Sequence, residues 1–335
     1  MGIWIFLVYL VVSGSVMFVL LCVNPQGSGP LSTLSRFFYS KVPLLCRKFS
    51  DKVLGEGSSS SFSYYALYIF NQPNPVFQAL YLALSIGGYI VYFLEGFQYI
   101  PNPMIPEFHK YLGSLLYLVA LITFFLASTK SPGVVTRHNS SKYQSLFKYD
   151  NLIFKPVECR TCKLLKPARS KHCSICKCCV PKCDHHCIWI NQCVGYSNYK
   201  FFLAFILSHS MICLYGAQLG VLIFLHIIKK DKLLESVFTD GAGNKFRGDF
   251  WVVLQYITQR YAALFFVVIL CVVIGVVLAG FFIYHLYMIK KNITTNERMK
   301  RIDLMLDTNN YEEPPNAYDK GFLNNLNEVL EAEPL

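Results

Sequence analysis

The chain has 335 residues, of which 54% are apolar, 16% aromatic and only 15% charged, and its formal net charge is +11. Soluble domains carry about 25% charged residues, so this composition excludes a wholly soluble protein, and it excludes intrinsic disorder, collagen and coiled coils as well. Because the chain is also too long for a small secreted domain stapled by disulfides, what remains is a polytopic membrane protein with a soluble part attached.

Five apolar segments are long enough to cross a bilayer, which takes about 17–25 residues. In chain order they are 3–23, 76–94, 111–128, 201–228 and 262–289. The first could instead be a cleaved signal peptide, but it lacks a basic start and a clean small-residue cleavage site, which favours a signal anchor. The apolar stretches 63–70 and 251–257 are too short to span, and we expect them at the membrane interface.

The basic residues indicate which side of the membrane each loop faces, because cytosolic loops carry an excess of Lys and Arg. Residues 24–75, 129–200 and 290–335 hold 24 of the 31 Lys and Arg, whereas 95–110 and 229–263 hold the other 7. With five spans, this distribution predicts a lumenal N-terminus and a cytosolic C-terminus. The loop between spans 3 and 4 is then cytosolic, and the loop between spans 4 and 5 is lumenal.

The cysteines are concentrated in one place, since nine of the thirteen lie between Cys159 and Cys193, interleaved with histidines. Concentrated Cys beside His is typical of metal binding in a reducing compartment rather than of a disulfide framework. At an offset of fourteen residues, this cysteine-rich loop (residues 159–193) repeats the spacing C-x2-C-x9-H-x6-C. The two sets of four are Cys159, Cys162, His172 and Cys179, and Cys173, Cys176, His186 and Cys193.

Three thiolates and one imidazole suit a closed tetrahedral structural zinc site, so the repeat predicts two zinc ions. His172 and Cys173 are neighbours that serve different sets, which interlocks the two sites. A sequential pairing of the first Cys-x2-Cys with the second remains an alternative, although it leaves both histidines unexplained, and disulfides are another. Because the loop has few large apolar residues, bound metal would supply much of its folding free energy.

The two sets leave three cysteines and one histidine unassigned, namely Cys178, Cys183, Cys187 and His185. A nucleophilic thiolate needs an adjacent base, and the base needs a third group to orient it. Asp184, His185 and Cys187 supply an acceptor, a base and a nucleophile within four residues, whereas the other two cysteines lack this arrangement. Zinc on His186 would fix the backbone between base and nucleophile. The alternative is that Cys187 is a further metal ligand or an inert thiol.

These residues resemble the DHHC protein S-acyltransferase (palmitoyltransferase) family. The match runs from the first Cys-x2-Cys pair through Asp184-His185-His186-Cys187 to Phe202. Beyond the loop, Thr294-Thr295-Asn296-Glu297 resembles the family's TTxE motif, and residues 316–326 resemble its C-terminal segment, which looks amphipathic and is expected to pack on the helices. Ser131 is a departure, because many members have Asp-Pro-Gly at this point.

The resemblance implies a two-step acyl transfer. Cys187 would attack the thioester of palmitoyl-CoA or another fatty acyl-CoA, with His185 as general base and Asp184 orienting it, and the acyl-enzyme would pass its chain to a protein cysteine. Basic residues of the loop are candidates to meet the CoA phosphates, and Trp189 is a candidate contact of the acyl donor. These basic residues are Lys166, Arg169, Lys171 and Lys182. Their alternative is a solvated patch facing anionic lipids, and that of Trp189 is an interfacial aromatic belt.

The predicted fold class is an all-α polytopic membrane protein of about five transmembrane helices, with a cytosolic zinc-binding cysteine-rich domain between spans 3 and 4. The predicted layout is N-terminal spans with a cytosolic linker, span 3, the cysteine-rich domain, spans 4 and 5 with their lumenal loop, and a cytosolic tail. These parts cover 1–110, 111–128, 129–200, 201–289 and 290–335.

The expected partners are the bilayer and protein substrates with cytosolic or juxtamembrane cysteines. Nucleic acid is not expected, because the positive charge follows the sidedness of the membrane. The short first three spans favour an endomembrane, in the Golgi or the endoplasmic reticulum. The rival functions are a non-enzymatic or ubiquitin-ligase-like zinc scaffold, and a channel or transporter. The latter would need ionisable groups inside the spans, where only three histidines are found.

Overall fold

The computed structural model describes residues 72–239, 241, 243–308 and 312–334. The predicted first span (3–23) and the short apolar stretch 63–70 lie outside these residues. Within the described part, four helical segments are long and apolar enough to cross a membrane. They correspond to predicted spans 2 to 5, so the chain is a multi-pass, mainly helical membrane protein.

The first of these segments is helix α1 (Val76–Val91), which continues through a π turn (Tyr92–Gly96) and a 3-10 turn (Phe97–Tyr99). The other spanning helices are α2 (Phe108–Thr129), α4 (Tyr199–Lys230) and α6 (Ala262–Lys290). Charged residues mark the ends of α4 and α6, where Lys229, Lys230 and Lys290 occupy the last turns and interact favourably with the helix dipole.

Helix α4 lies at the centre of the bundle and packs along both α2 and α6. Gly220 makes this approach possible, because a Cβ at this position would lie 2.1 Å from the Cγ2 of Val268 on α6. Tyr92, in the π turn, reaches α4 through its hydroxyl, which donates to the carbonyl of Gly216 at 2.6 Å. The end of α1 that is distant from the cysteine-rich loop is therefore fixed against α4.

The connection between α4 and α6 carries its own small structure. A hairpin of β5 (Val237–Thr239) and β6 (Lys245–Arg247) leads to the short helix α5 (Phe250–Arg260). Asp249 caps this helix by accepting the N–H of Val252 at 2.8 Å. The predicted interfacial stretch 251–257 thus forms part of α5, and its location at the membrane interface stays a prediction.

The cysteine-rich loop follows the short helix α3 (Ser140–Leu146) and contains two antiparallel hairpins. The first pairs β1 (Lys171–Cys173) with β2 (Cys178–Val180), and the second pairs β3 (His185–Cys187) with β4 (Gln192–Val194). In each hairpin the middle pair is a histidine opposite a cysteine: His172 with Cys179, and His186 with Cys193. The repeat of fourteen residues is therefore a repeat of one hairpin.

After α6, the tail turns back onto the bundle. Helix α7 (Thr295–Asp307) begins with a capping box, in which Thr294 accepts from the N–H of Glu297 and the Glu297 carboxylate accepts from the N–H of Thr294. Helix α8 (Phe322–Leu330) packs against α6 and α4 through its buried side, which includes Val329, as expected from the sequence. Gly321 precedes it with φ +85°, a conformation that favours glycine.

Candidate active site and metal centres

The structure brings each predicted Cys3His set together. In both sets the four ligand atoms lie within 4.8 Å of one another. The eleven cysteines of the described residues are all free thiols, so no disulfide competes for these positions there. The grouping is the interleaved one, and the sequential pairing of the two Cys-x2-Cys turns is not the arrangement found.

The distances within each set fit a tetrahedral ion. With Zn–S of about 2.3 Å and Zn–N of about 2.0 Å, tetrahedral ligands lie about 3.8 Å apart between two sulfurs and about 3.5 Å apart between sulfur and nitrogen. Cys162 Sγ lies 3.8 Å from Cys179 Sγ, and Cys176 Sγ lies 3.7 Å from Cys193 Sγ. The sulfur to Nδ1 distances are 3.3–3.8 Å in both sets. Both clusters can therefore hold a metal ion.

The local backbone repeats as closely as the ligands do. Each Cys-x2-Cys turn ends with the N–H of its second cysteine pointing to the sulfur of its first, at 3.4 Å in both cases. The next residue, Lys163 or Lys177, has positive φ. An N–H bond to sulfur favours the thiolate over the thiol, because it stabilises the charged form. Each turn is thus shaped to present two thiolates to one ion.

Asp184, His185 and Cys187 lie together at the start of the second hairpin. His185 Nδ1 lies 2.7 Å from Asp184 Oδ2. The Cys187 thiol is close enough to the His185 ring to contribute to raising the pKa of that histidine. Asp184 and Cys187 are buried, and His185 is partly exposed. Asp184 is itself held from the other side, since its Oδ1 accepts the N–H of Thr295 at 2.7 Å. The aspartate is therefore oriented before it orients the histidine.

The electrostatics of this group favour a charged pair. Burial opposes the ionisation of Asp184, but the hydrogen bond from His185 and its charge hold the pKa of Asp184 below its usual range. Burial also opposes a charged His185, yet its bonds to Asp184 and Cys187 raise the pKa of His185. The pKa of Cys187 is lowered in spite of burial, because His185 and the N–H groups of Ile190 and Trp189 stabilise the thiolate.

Cys187 faces the membrane helices rather than either metal cluster. It belongs to an apolar cluster that includes Phe124 and Ala127 of α2 and Phe202 of α4. Its sulfur is not among the ligand atoms of either metal cluster. A buried thiol at the junction of a polar loop and apolar spans can react with a group whose tail lies among the helices.

A second histidine lies behind the first. His285 of α6 is fully buried, and its Nδ1 lies 2.7 Å from the hydroxyl of Tyr199. Its ring centroid is 5.3 Å from that of Phe202 and 6.4 Å from that of His185. The sequence shows His285 only as a lone histidine near the end of a span, so its place beside the site was not predictable.

The basic residues predicted to meet a CoA phosphate are in different environments. Arg169 is only 1% exposed, and its guanidinium binds Glu297 at 2.6 and 2.8 Å and Asn292 at 2.8 and 3.0 Å. This corrects the prediction for Arg169, because a guanidinium with these partners is not available to a phosphate. Lys166 is partly exposed and Lys171 is exposed, so both stay candidates.

Two further candidates have partners of their own. Lys182 is buried, and its ammonium lies 2.7 Å from the Glu328 carboxylate of α8. Burial and the nearby Arg169 charge lower the pKa of Lys182 to about 8, against the opposing effect of Glu328. Trp189 is 43% exposed and packs edge-on against Phe77, with ring centroids 5.6 Å apart. It therefore lies at the surface near Cys187, as a contact of the donor would.

The TTxE-like residues join the tail to the cysteine-rich loop. Thr294 donates its hydroxyl to the carbonyl of Cys183 at 3.1 Å, next to the Thr295 bond with Asp184. Glu297 forms the buried pair with Arg169. The sequence motif thus marks the contact that holds the carbonyl of Cys183 and the side chain of Asp184, which is the bracing role that the resemblance implied.

Comparison with known proteins agrees with this geometry. The family model of DHHC palmitoyltransferase matches residues 153–302. The palmitoyltransferase ZDHHC4 of Mus musculus is 31% identical over 233 residues, which cover 69% of this chain and 68% of that protein. The Bos taurus protein of the same name is 29% identical, over 70% of this chain and 68% of its own length. The palmitoyltransferase swf1 of Schizosaccharomyces pombe is 28% identical, over 82% of this chain and 72% of that one.

The matched region contains both metal clusters, the Asp184-His185-Cys187 group and the TTxE-like residues. The mouse relative shares this identity over more than two thirds of its length. The chain therefore belongs to the DHHC palmitoyltransferase family and is a protein S-palmitoyltransferase of the membrane.

Proposed function

We propose that Cys187 is the nucleophile that carries the acyl group between palmitoyl-CoA and a protein cysteine. Its thiolate attacks the thioester carbonyl, the new carbon–sulfur bond forms, and the CoA thiolate leaves with the proton held on His185. In the second step His185 accepts the proton of the substrate cysteine, whose thiolate attacks the acyl-enzyme and releases Cys187. The observation that carries this proposal is the 2.7 Å contact of Asp184 with His185 beside a buried Cys187, whose pKa His185 lowers.

Asp184 and His185 divide the work of the base. The carboxylate at 2.7 Å fixes Nδ1 of the imidazole as the donor, which leaves Nε2 to exchange a proton with sulfur. The bond from the Thr295 N–H keeps the carboxylate in this orientation. The base therefore faces the nucleophile before any substrate arrives.

We assign the two metal clusters to structural zinc ions. The first would be held by Cys159, Cys162, His172 and Cys179, and the second by Cys173, Cys176, His186 and Cys193. Zinc in a closed set of four ligands supplies folding free energy and no open coordination position. Because His186 lies between His185 and Cys187, its fixation would set the distance between base and nucleophile.

The bilayer supplies the reason for placing this chemistry at the ends of the helices. Burying an acyl chain is worth about 0.8 kcal/mol for each CH2. The apolar cluster around Cys187 continues into α2, α4 and α6, so a bound chain can extend among the spans. We propose Lys166 and Lys171 as partners of the CoA phosphates, and Trp189 as a contact of the donor near the thiol.

We further propose that the cysteine-rich loop and the tail face the cytosol. The support is the excess of Lys and Arg in 129–200 and 290–335 over the loops of the opposite side, and the free thiols, which suit a reducing compartment. Substrates would then be proteins with cytosolic or juxtamembrane cysteines. An endoplasmic reticulum or Golgi membrane suits the short apolar stretches 76–94 and 111–128.

The test compares two cysteine variants of the purified, detergent-solubilised chain. Cys187→Ser is expected to retain its zinc and to lose all transfer of palmitate from palmitoyl-CoA to a cysteine peptide. Cys178→Ser is the matched control, since Cys178 lies in the same loop, is partly exposed and is not a metal ligand. It should transfer palmitate at the wild-type rate. Transfer by Cys187→Ser, or a loss of its zinc, would favour the zinc-scaffold alternative.

Asp184→Asn is expected to slow transfer by about 10⁴-fold, as the same change of an orienting carboxylate does in a serine protease triad. The amide oxygen can still accept the Thr295 N–H, so the loop is expected to keep its shape. The amide nitrogen, however, would donate to His185 Nδ1 and force the proton onto Nε2, where no proton can then be accepted. Single-turnover kinetics with palmitoyl-CoA would measure the loss. A rate within threefold of wild type would contradict the role given to Asp184.

A further inference from the structure

The turn that follows Cys187 is held by three residues at the start of α1. Phe77 packs edge-on against Trp189, with centroids 5.6 Å apart. Gln78 Nε2 donates to the carbonyl of Ile190 at 3.1 Å. The N–H of Asn74 donates to the side-chain oxygen of Asn191 at 3.0 Å. Three consecutive turn residues thus each have one partner near the start of α1.

This turn also directs two backbone amides at the reacting sulfur. The equivalent turn of the first hairpin, where Lys177 has positive φ in the place of Asn191, directs the N–H of Cys176 to the sulfur of Cys173 at 3.4 Å. By this repeat the N–H of Ile190 faces the sulfur of Cys187, and the N–H groups of Ile190 and Trp189 both lower the pKa of Cys187. The turn is closed by the N–H of Asn191, which donates to the carbonyl of Ile188 at 3.3 Å, and Asn191 itself has φ +52°. Ile190 is fully buried, so its amide is shielded from water. A tight turn with a left-handed residue therefore sets the direction of both amides.

We propose that the N–H groups of Trp189 and Ile190 form the oxyanion hole of the acyl transfer, and that Gln78 is the positioning residue that holds it. The proposal rests on the assignment of Cys187 as nucleophile. When Cys187 attacks a thioester, its sulfur bonds to the carbonyl carbon and the carbonyl oxygen becomes an oxyanion. The oxyanion is therefore only two bonds from the Cys187 sulfur. Amides that converge on the sulfur of the free enzyme are therefore next to the position where the negative charge develops.

Among the three residues near the start of α1 that hold this turn, Gln78 is the one that a single substitution tests most cleanly. Its side-chain amide donates to the carbonyl of Ile190, and Ile190 is not a metal ligand. Removing one oxyanion donor outright slows catalysis by about 10²–10³-fold. Loss of a positioning contact leaves both amides present but less well aimed, so a smaller effect of about tenfold is expected.

The experiment compares two reactions at the same sulfur. In the first, palmitoyl-CoA acylates Cys187 through an oxyanion. In the second, N-hexadecyl iodoacetamide alkylates Cys187 by direct displacement at carbon, with iodide leaving and no oxyanion formed. Both reagents carry a sixteen-carbon chain. Gln78→Leu is expected to lower the maximal acylation rate about tenfold, with the half-saturating palmitoyl-CoA concentration unchanged and alkylation within twofold of wild type.

The control is Gln98→Leu, at the far end of the same span, where the glutamine is exposed; both rates should match wild type. Asn191→Gly is the second variant, since glycine keeps the positive φ and removes the acceptor of the Asn74 bond. Asn191→Gly should also lower the acylation rate while leaving alkylation unchanged. If Gln78→Leu fails to keep its metal, the result for Asn191→Gly tests the oxyanion hole in its place. An equal fall in both reactions, or no fall in acylation, would overturn the oxyanion hole. A wild-type protein modified by neither reagent at Cys187 would instead refute the nucleophile assignment.

Discussion

Replacing Cys173 with Ala is expected to remove metal from the second cluster and to abolish palmitate transfer. Zinc bound to four protein ligands contributes about 10–16 kcal/mol to the folding of small zinc modules, which is comparable to the whole stability of a typical domain, about 5–15 kcal/mol. The hairpins of this loop have strands of only three residues, so they have little else to hold them. Activity is lost because His186, a ligand of this cluster, lies between His185 and Cys187.

Metal analysis of the purified protein checks this expectation. The wild-type chain should contain two zinc ions, and Cys173→Ala one or fewer, because Cys173 is adjacent to His172 of the first cluster. Cys178→Ser is again the control and should retain both ions. The second cluster would not be the metal site that we propose if Cys173→Ala kept two zinc ions and full activity.

Arg169→Met is expected to destabilise the protein by about 3–5 kcal/mol, the usual consequence of leaving a buried charge without its partner. Arg169 and Glu297 are 1% and 2% exposed, and their closest atoms lie 2.6 Å apart. Removing the guanidinium leaves the Glu297 carboxylate buried in the joint between the loop and the tail. Arg169→Lys should recover only part of the loss, since an ammonium cannot reproduce the two-pronged contact with Glu297 or both bonds to Asn292.

A double-mutant cycle separates the pair from its surroundings. The double variant Arg169→Met with Glu297→Met removes both charges, and it should be more stable than either single variant. The stability of all four forms is measured by thermal unfolding of the purified protein in detergent, with the release of bound zinc as the signal of unfolding. If the two single losses simply added in the double variant, the buried pair would not be what joins the loop to the tail.

Much of this architecture follows from local pattern. The repeated ligand spacing predicted both metal clusters, because a Cys-x2-Cys turn and a His–Cys hairpin pair are each fixed by a few consecutive residues. The four described spans were also predictable, because crossing a bilayer requires a length of apolar sequence that little else imitates. Their ends differ by several residues; α1, for example, continues beyond residue 94 through turns that are fixed by contacts with α4.

Long-range partners were not predictable in the same way. In sequence, Arg169 is one of several cations in a basic loop, and only the fold shows that it is buried against Glu297, 128 residues away. Glu328, the partner of Lys182, lies beyond the recognised C-terminal segment. Gln78 is one of few polar residues in an apolar helix. Such residues acquire their meaning from tertiary contacts, for which one sequence carries no signal.

The most direct measurement is the mass of the peptide that contains Cys187 after incubation of the wild-type protein with palmitoyl-CoA. We expect an added palmitoyl group on Cys187 that hydroxylamine removes, with zinc still bound to the protein. The same label found on Cys178 or Cys183, with Cys187 unmodified, would show that Cys187 is not the nucleophile.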